Sequence, residues 1–209
     1  MRVVLYGASG MIGSRILKEL TNRGHAVTAV SRVPEKIILR EDAMAVKADV
    51  TSPSGVAATA KWAEAAVSAY APPKNEPEKV VDAARALLIG LRRAKVKRLI
   101  VVGGAGSLEV AHGTQLVDMP DFPAAWKAIA QAHRDVLPVL KQSDLEWSYL
   151  SPAAIIYPGE RTGKFRLGTT KLVMDANGES RISAEDYAVA LVDELERPAH
   201  VKQQFTLGY

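Results

Sequence analysis

The sequence predicts an α/β protein built on a doubly wound parallel sheet with helices on both faces. First, the chain opens on an apolar run over residues 3–6, which three glycines and then a helical pattern follow directly. Second, short apolar runs alternate with helical patterns up to about residue 152, and parallel strands require crossovers of this kind. Third, 209 residues with 48% hydrophobic content suffice for one domain with a sizeable core.

The composition excludes several classes of site. The chain has no cysteine, which rules out disulfides, thiolate nucleophiles and Cys–metal sites and is compatible with a reducing cytoplasm. No cluster of histidines or carboxylates has the spacing of metal ligands, so no metal is expected. The net charge is +4, with both signs interspersed, which is typical of a solvated surface rather than of nucleic-acid binding.

The hydropathy pattern also bears on location. No apolar run approaches the ~20 residues of a membrane span. Because the first predicted strand lies at the start of the sequence, we expect no signal peptide. We therefore expect a cytoplasmic protein with neither a membrane nor a nucleic acid as its partner.

The glycines at positions 7, 10 and 13 follow the first strand with the spacing G-x-x-G-x-x-G. Gly7 is expected to turn the chain sharply, Gly10 to let a pyrophosphate lie against the backbone, and Gly13 to let the helix pack close to the strand. The free N–H groups and the dipole of that helix would then face the phosphates. The segment predicts a dinucleotide-binding unit of Rossmann type, against the alternative of a glycine-rich turn that binds nothing.

The later elements follow in the order that such a sheet requires. Strands are expected at residues 25–31, 43–50, 66–70, 98–102 and 145–150, and helices at about 53–65, 78–94 and 124–142. From Ala153 the pattern loosens into a hairpin near 158–163, a short strand from Lys171, a helix capped by Ser183 and a last strand at 201–207. We therefore expect a single domain over residues 1–209, with a core over about 1–152 and a smaller substrate-side lobe over about 153–209.

The end of the second strand indicates which dinucleotide is bound. NAD-binding proteins usually place an acidic residue there, about 20 residues after the glycines, to hold the ribose 2′-hydroxyl. This chain has Ser31 and Arg32 instead, and arginine offers a 2′-phosphate charge-assisted, bidentate hydrogen bonds. The sequence favours NADP(H), while nearby Glu35 keeps NAD(H) open. The alternative is that Arg32 stacks on the adenine or faces water.

The remaining cofactor contacts are expected at the carboxyl ends of the strands, where open α/β sheets bind ligands. The ends of the third and fourth strands would border the adenine and the middle of the cofactor, and the ends of the fifth and sixth its nicotinamide half. The full predicted set is Gly7, Ala8, Ser9, Gly10, Met11, Ile12, Gly13, Ser31, Arg32, Asp49, Val50, Ala69, Tyr70, Ala71, Gly103, Gly104, Pro152 and Ala153.

Five segments occur together in a familiar order. They are GASGMIG at 7–13, VVGGAGSL at 101–108, WSYLSP at 147–152, GERTG at 159–163 and ISAEDYA at 182–188. On these the chain resembles the atypical short-chain dehydrogenase/reductases of the NADH-flavin reductase group, related to biliverdin reductase B and NmrA-like proteins. The resemblance implies a Rossmann fold, a bound nicotinamide cofactor and reduction of flavin-like or quinone-like acceptors.

Short-chain dehydrogenases that act on alcohols place Tyr-x-x-x-Lys on a helix, where the lysine helps the tyrosine to exchange a proton. The string occurs here from Tyr70 to Lys74, but Pro72 and Pro73 lie inside it and forbid a helix. The helix after the fifth strand has no tyrosine. This acid–base pair is therefore expected to be absent, which weakens an alcohol dehydrogenase or sugar epimerase interpretation.

Reduction of a conjugated ring tolerates that absence, because a hydride can pass directly to an acceptor stacked on the nicotinamide. Ser107 and His133 are the candidate catalytic residues, since a hydroxyl and an imidazole could each reach the acceptor. The alternative for Ser107 is a residue that ends the strand or caps a turn, and for His133 a histidine on a helix surface. His112, in a predicted loop, is undecided.

Two further groups have open interpretations. Arg161 and Lys164 either border the acceptor pocket, where they would hold a phosphate or carboxylate, or flank a tight turn in solvent. Trp62, Trp126 and Trp147 are expected to pack, although Trp126 lies where a lid over the acceptor could form.

Three functions are compatible with these features. The first is an NAD(P)H-dependent reductase that transfers a hydride to a flavin, quinone or similar conjugated acceptor. The second is a non-enzymatic NADP-binding redox sensor of NmrA type, and the third is an NAD(P)-dependent sugar epimerase or dehydratase. For the first, the expected partner is a small-molecule conjugated acceptor, with flavin among the candidates, and the expected assembly is a monomer or homodimer.

Overall fold

The computed structural model describes residues 1–39, 41–111 and 113–209. The strands of this part of the chain are β1 (Arg2–Tyr6), β2 (Ala26–Ser31), β3 (Ala43–Lys47), β4 (Ala65–Ser68), β5 (Arg98–Val102), β6 (Glu109–Ala111), β7 (Thr114–Gln115), β8 (Glu146–Ser151), β9 (Ile155–Tyr157), β10 (Arg166–Gly168), β11 (Arg181–Ser183) and β12 (Gln203–Gly208). The α-helices are α1 (Met11–Asn22), α2 (Pro53–Thr59), α3 (Lys79–Ala94), α4 (Ala124–Lys141) and α5 (Ala184–Glu196).

Eight of the described strands form one sheet in the order β10-β12-β8-β5-β4-β1-β2-β3. Neighbouring strands run parallel, except that β10 is antiparallel to β12. From β1 the chain moves outward to β3, then returns to β4 on the other side of β1 and moves outward again. The order therefore reverses between β1 and β4, and ligands of open α/β sheets bind beside such a switch point. The predicted fold class is confirmed.

Helices cover both faces of the sheet. Val3 and Leu5 of β1 pack in the core beneath α1 and α5, whereas Val4 and Tyr6 pack in the core on the other face, with residues of α3 and α4. All four side chains are buried. Burial on both faces explains why the first strand is a continuous apolar run rather than an alternating one.

Much of the C-terminal stretch assigned to a smaller substrate-side lobe of the same domain contributes to the main sheet and its helices. Strand β12 pairs in parallel with β8, and α5 packs against α1, so both belong to the main sheet and its helical layer. Within the segment between β8 and α5, β10 joins the main sheet as an edge strand, whereas β9 pairs outside that sheet with β11. The expected hairpin near 158–163 is wrong in its pairing, because β9 runs parallel to β11, 26 residues later along the chain (Ile155 to Arg181).

Several predicted boundaries also differ. The fourth strand ends at Ser68, and α2 ends at Thr59 rather than near residue 65. The expected strand from Lys171 is reduced to a single bridge between Lys171 and Glu109. Trp147 packs in the core as expected, but Trp62 is 73% exposed, so its predicted packing role is wrong. No helix of the described residues combines the length and apolarity needed to cross a membrane.

Candidate functional site

The turn between β1 and α1 needs glycine at two of its three glycine positions for reasons internal to the protein. Gly7 has φ +80°, and a Cβ on it would lie 2.4 Å from the carbonyl oxygen of Ala69. A Cβ on Gly13 would lie 2.0 Å from the carbonyl oxygen of Gly7. A Cβ on Gly10 would meet only that same oxygen, at 3.4 Å, which is ordinary contact. The protein itself therefore has no need of glycine at position 10.

The start of α1 is open to an anion. Gly10 is its N-cap, no side chain caps the helix, and its first turn holds no acidic residue. The first N–H groups of a helix lack intrahelical partners and carry the positive end of its dipole. A phosphate placed against Gly10 would meet those donors without a side chain in its way, so this turn fits a pyrophosphate.

A cleft, here named the Arg32 cleft, opens on one side of the glycine turn. Its lining residues come from the ends of β1 to β4: Tyr6, Gly7, Ser9, Gly10, Val30, Ser31, Arg32, Ala48, Asp49, Val50, Ala69, Tyr70 and Ala71. Ser9 and Ser31 share a hydrogen bond of 3.1 Å between their hydroxyls at its edge. These strand ends meet because they belong to neighbouring parallel strands, as the sequence predicted.

Charges of both signs surround the Arg32 cleft. Burial tends to raise the pKa of Asp49, but hydrogen bonds from Thr51 and the nearby positive charges of Arg32 and Lys79 hold it below its usual range. Burial raises the pKa of Tyr70. The Arg32 side chain is exposed, and Lys79 pairs with Glu76 at 2.7 Å. The cleft thus has cations at its rim and an ionised carboxylate within it.

A second pocket, here named the His133 pocket, opens on the other side of the glycine turn and has a volume of about 670 Å³. It is lined by Ile12, Gly103, Gly104, Ala105, Gly106, Leu116, Met119, Asp121, Phe122, Pro123, Trp126, Ile129, Ala130, His133, Pro152, Ala153, Ala154, Ile155 and Ile156. Gly10 lines the Arg32 cleft and Ile12, two residues on, lines this pocket. One extended ligand laid across the glycine turn would therefore reach both.

His133 is placed in the wall of this pocket, as its candidate role requires. The side chain is half-buried and its Nδ1 atom is fully buried without a hydrogen-bond partner among the described residues. Burial lowers the pKa of the imidazole to about 4. The ring is therefore neutral near pH 7 and cannot act there as an imidazolium acid.

Ser107 is not placed at the pocket. Its side chain is buried in a 3₁₀ turn, donates to the carbonyl oxygen of Gly104 at 3.3 Å and accepts from Nε2 of Gln204 at 2.8 Å. Those partners fix the hydroxyl between the turn after β5 and strand β12. The alternative interpretation, a residue that secures a turn, fits this geometry.

Tyr149 and His133 leave no room for a side chain on the two glycines after β5. A Cβ on Gly103 would lie 2.3 Å from its ring, and a Cβ on Gly104 would lie 2.9 Å from the Cβ of His133. The Tyr149 hydroxyl donates to the carbonyl oxygen of His133 and accepts from the N–H of Gly104. Gly103 and Gly104 line the pocket, but packing against Tyr149 and His133 is already sufficient to require glycine at both positions.

The charged turn at 161–164 has a structural role. Arg161 forms two hydrogen bonds of 2.8 Å with the carboxylate of Glu19 on α1. The buried carboxylate of Asp186 accepts from the backbone N–H groups of Thr162 and Gly163, each at 2.8 Å. Neither Arg161 nor Lys164 lines the His133 pocket. The hydrogen bonds to Asp186 therefore join the two motif segments at 159–163 and 182–188.

Not every predicted cofactor contact lies at a cavity. Ala8 and Gly13 are buried and Met11 is exposed, and none of the three lines either cavity. Residues from the segment at 116–123 form part of the wall of the His133 pocket. No role was predicted for this segment from the sequence. Trp126, in the first turn of α4, also lines this pocket and is exposed, so its predicted packing role is wrong, whereas its alternative place in a lid over the acceptor stays a prediction. His112 lies outside the described residues, among which no group of three or more His, Cys, Asp or Glu side chains is arranged for a metal.

Comparison with known proteins identifies the family to which the chain belongs. A family model described as NAD(P)H-binding matches residues 7–198. The uncharacterised protein YwnB of Bacillus subtilis (strain 168) is 41% identical over 217 residues, which cover 99% of this chain and 98% of YwnB.

Solved structures agree with that match. A protein of Burkholderia pseudomallei described as a candidate exported protein is 50% identical, with a TM-score of 0.92 and full coverage of both chains. A candidate epimerase of Bacteroides thetaiotaomicron is 42% identical, with a TM-score of 0.93 over 100% of this chain and 96% of its own. A candidate NADH-flavin reductase of Streptococcus pneumoniae is 31% identical, with a TM-score of 0.88 over 100% and 99%. The chain belongs to the NAD(P)H-binding family, whose members bind a nicotinamide cofactor on a Rossmann fold.

Proposed function

We propose that the protein is an NADPH-dependent reductase that transfers a hydride to a flavin, quinone or similar conjugated acceptor. The observation that carries this proposal is the apolar His133 pocket, which adjoins the glycine turn at Ile12. A nicotinamide half reaching past that turn would present its ring to this pocket. A bound NADPH supplies the hydride, and the walls of the pocket would hold a flat acceptor in contact with it and exclude water.

The chemistry of the pocket wall supports reduction of a conjugated ring. Among the described residues that line it, His133 and Asp121 alone can titrate, and neither a tyrosine nor a lysine is present. Tyr70 lies in the Arg32 cleft, and residues 70–78 form no helix. Proton exchange by a Tyr–Lys pair, which alcohol oxidation and sugar epimerisation would use, has no residues to perform it there.

The preference for NADPH rests on the end of β2. Ser31 and Arg32 line the Arg32 cleft there, and the acidic residue that would hold an unmodified ribose is missing from this strand end. Lys79 is close enough to influence the same charges. A 2′-phosphate would meet the guanidinium of Arg32 and the hydroxyl of Ser31, a set that suits an anion. Cytoplasmic location and a monomeric or homodimeric state remain expectations.

The test is oxidation of NADPH against riboflavin, FMN, a benzoquinone, a naphthoquinone and biliverdin, with NADH in parallel. Turnover with one acceptor class, and faster with NADPH, is the expected result. A nucleotide sugar serves as the control for the epimerase alternative, which the description of the Bacteroides relative raises. Tight NADPH binding without turnover of any acceptor would contradict the proposal and favour a redox sensor.

A further inference from the structure

The His133 pocket offers no positive charge to a ligand. Asp121, exposed at the rim, is the one charged side chain among its described lining residues. The arginines on the flanking segments are already paired. Arg134 of α4 binds both carboxylate oxygens of Asp118 at 3.0 Å, and Arg161 binds Glu19. An acceptor that carries a phosphate would therefore find repulsion from Asp121 and no counter-ion among the described residues that line the pocket.

Two side chains in the wall of this pocket carry a neutral ring nitrogen, His133 and Trp126, and Trp126 is 59% exposed. The Nδ1 atom of His133 is buried without a partner, and buried N–H groups without partners are rarer than bare acceptor atoms. We therefore assign the single proton of the neutral ring to Nε2. The ring contributes to the pocket wall beside Gly104, so this N–H is a donor available to a ligand at the half-buried part of the wall.

We propose that the His133 pocket selects uncharged, planar acceptors bearing a carbonyl group, and that Nε2–H of His133 orients that carbonyl by a hydrogen bond. This inference rests on the proposed reductase function and names its substrate class. Quinones and the ring of riboflavin meet the requirement, whereas FMN, with its phosphate, is disfavoured. The low pKa of His133 supports a neutral donor rather than an acid.

The reaction balances without a protein acid. A quinone gains two electrons and two hydrogens and becomes a hydroquinone. One hydrogen arrives as the hydride of NADPH, which leaves as NADP⁺, and the other is a proton from water. His133 keeps its own proton throughout, so it acts as a positioning residue and the reaction needs no group that titrates near neutral pH.

The first arm of the test compares riboflavin with FMN, which share one ring system and differ by a phosphate. We expect kcat/KM for riboflavin to exceed that for FMN by about fivefold or more. Replacing Asp121 by lysine should shrink this ratio, because it exchanges a repulsive rim charge for an attractive one. A wild-type ratio near one, or a ratio that Asp121→Lys leaves unchanged, would overturn charge selection.

The second arm measures binding rather than turnover. Binding of a naphthoquinone should quench the fluorescence of Trp126, which lines the pocket, and the Trp126→Phe variant identifies that signal. His133→Leu should weaken binding about tenfold, the size of one lost hydrogen bond. His133→Gln, which keeps an N–H donor, should recover much of the loss. Equal affinity of wild type and His133→Leu would overturn the role of His133.

The two arms separate this inference from the proposed function. Turnover of FMN as fast as riboflavin would overturn the inference and leave the reductase standing. Saturable quinone binding that needs His133, without turnover of any acceptor, would support the pocket assignment and contradict the reductase. Absence of quinone binding would overturn the inference. Wild-type kcat/KM for quinone reduction should also show no inflection near pH 6.5, the value of an ordinary histidine.

Discussion

The hydroxyl of Tyr149 donates a 2.7 Å hydrogen bond to the backbone carbonyl oxygen of His133. The same hydroxyl accepts a 3.2 Å hydrogen bond from the N–H of Gly104. Tyr149 lies on β8 and is fully buried, so one side chain of the sheet fastens helix α4 to the turn after β5. These two segments pack against each other and both contribute to the wall of the His133 pocket.

Tyr149→Phe should therefore affect both stability and the pocket. It leaves the His133 carbonyl and the Gly104 N–H without their shared partner, at a cost of about 1–3 kcal/mol in the free energy of unfolding. Urea denaturation measures that cost, and naphthoquinone titration should show weaker binding as His133 shifts. Tyr187→Phe is the matched control, because it also loses a buried hydroxyl bond, to Leu150, but not one that holds His133. Equal effects of both variants on quinone affinity would contradict the prediction.

Gly10→Ala and Gly13→Ala should separate cofactor binding from folding. At position 10 the added methyl group meets ordinary contact in the protein but would stand where a pyrophosphate approaches. We expect NADPH affinity to fall about tenfold or more with little change in Tm. At position 13 the methyl group meets a backbone oxygen at 2.0 Å, so thermal unfolding should shift strongly. Unchanged NADPH affinity of Gly10→Ala, measured by calorimetry, would remove the turn from the binding site.

Arg32→Asp should reverse the cofactor preference. The new carboxylate would repel a 2′-phosphate and could accept from a free ribose hydroxyl. We expect the dissociation constant for NADPH to rise at least about tenfold more than that for NADH. Lys36→Asp makes the same charge change four residues on, outside the residues that line the Arg32 cleft. An equal loss of both cofactors in Arg32→Asp would place its side chain elsewhere than at the 2′-phosphate.

Asp186→Ala should destabilise the protein. Its buried carboxylate accepts from two backbone N–H groups of the turn at 162–163 and from the hydroxyl of Tyr209. Loss of these bonds should cost about 3 kcal/mol in the free energy of unfolding. Asp175→Ala, which also removes a carboxylate that accepts from two backbone N–H groups, but in a less buried turn, should cost clearly less. Comparable losses would show that burial of Asp186 adds nothing.

Acid should destabilise the wild type more than His133→Leu. The pKa of His133 is lowered to about 4 in the folded state, whereas an unfolded histidine titrates near 6.5. Between these values the unfolded chain binds more protons, so stability falls as the pH falls. From pH 7 to pH 5 the wild type should lose about 2 kcal/mol more than the variant. Urea unfolding at both pH values measures the difference, and identical losses would contradict a desolvated ring.

Much of the lining of the Arg32 cleft was predictable. Neighbouring parallel strands bring their carboxyl ends together, so local pattern alone placed Ser31, Asp49 and Tyr70 around one cleft. The order of the C-terminal elements was not predictable in this way. Strand β12 pairs with β8 more than 50 residues earlier, and no local pattern records which partner such a strand takes.

By itself the sequence determined the fold class, the glycine turn and the basic end of β2, because each depends on residues close together in the chain. Tertiary structure decided the roles of residues that the sequence could not tell apart. Gly10 and Gly13 look alike in the motif, and only the position of the Gly7 carbonyl separates them. Likewise, the burial that lowers the pKa of His133 comes from the packing of α4 against the turn after β5. Contacts between distant segments set desolvation and steric room, and those two quantities decide which side chains can meet a ligand.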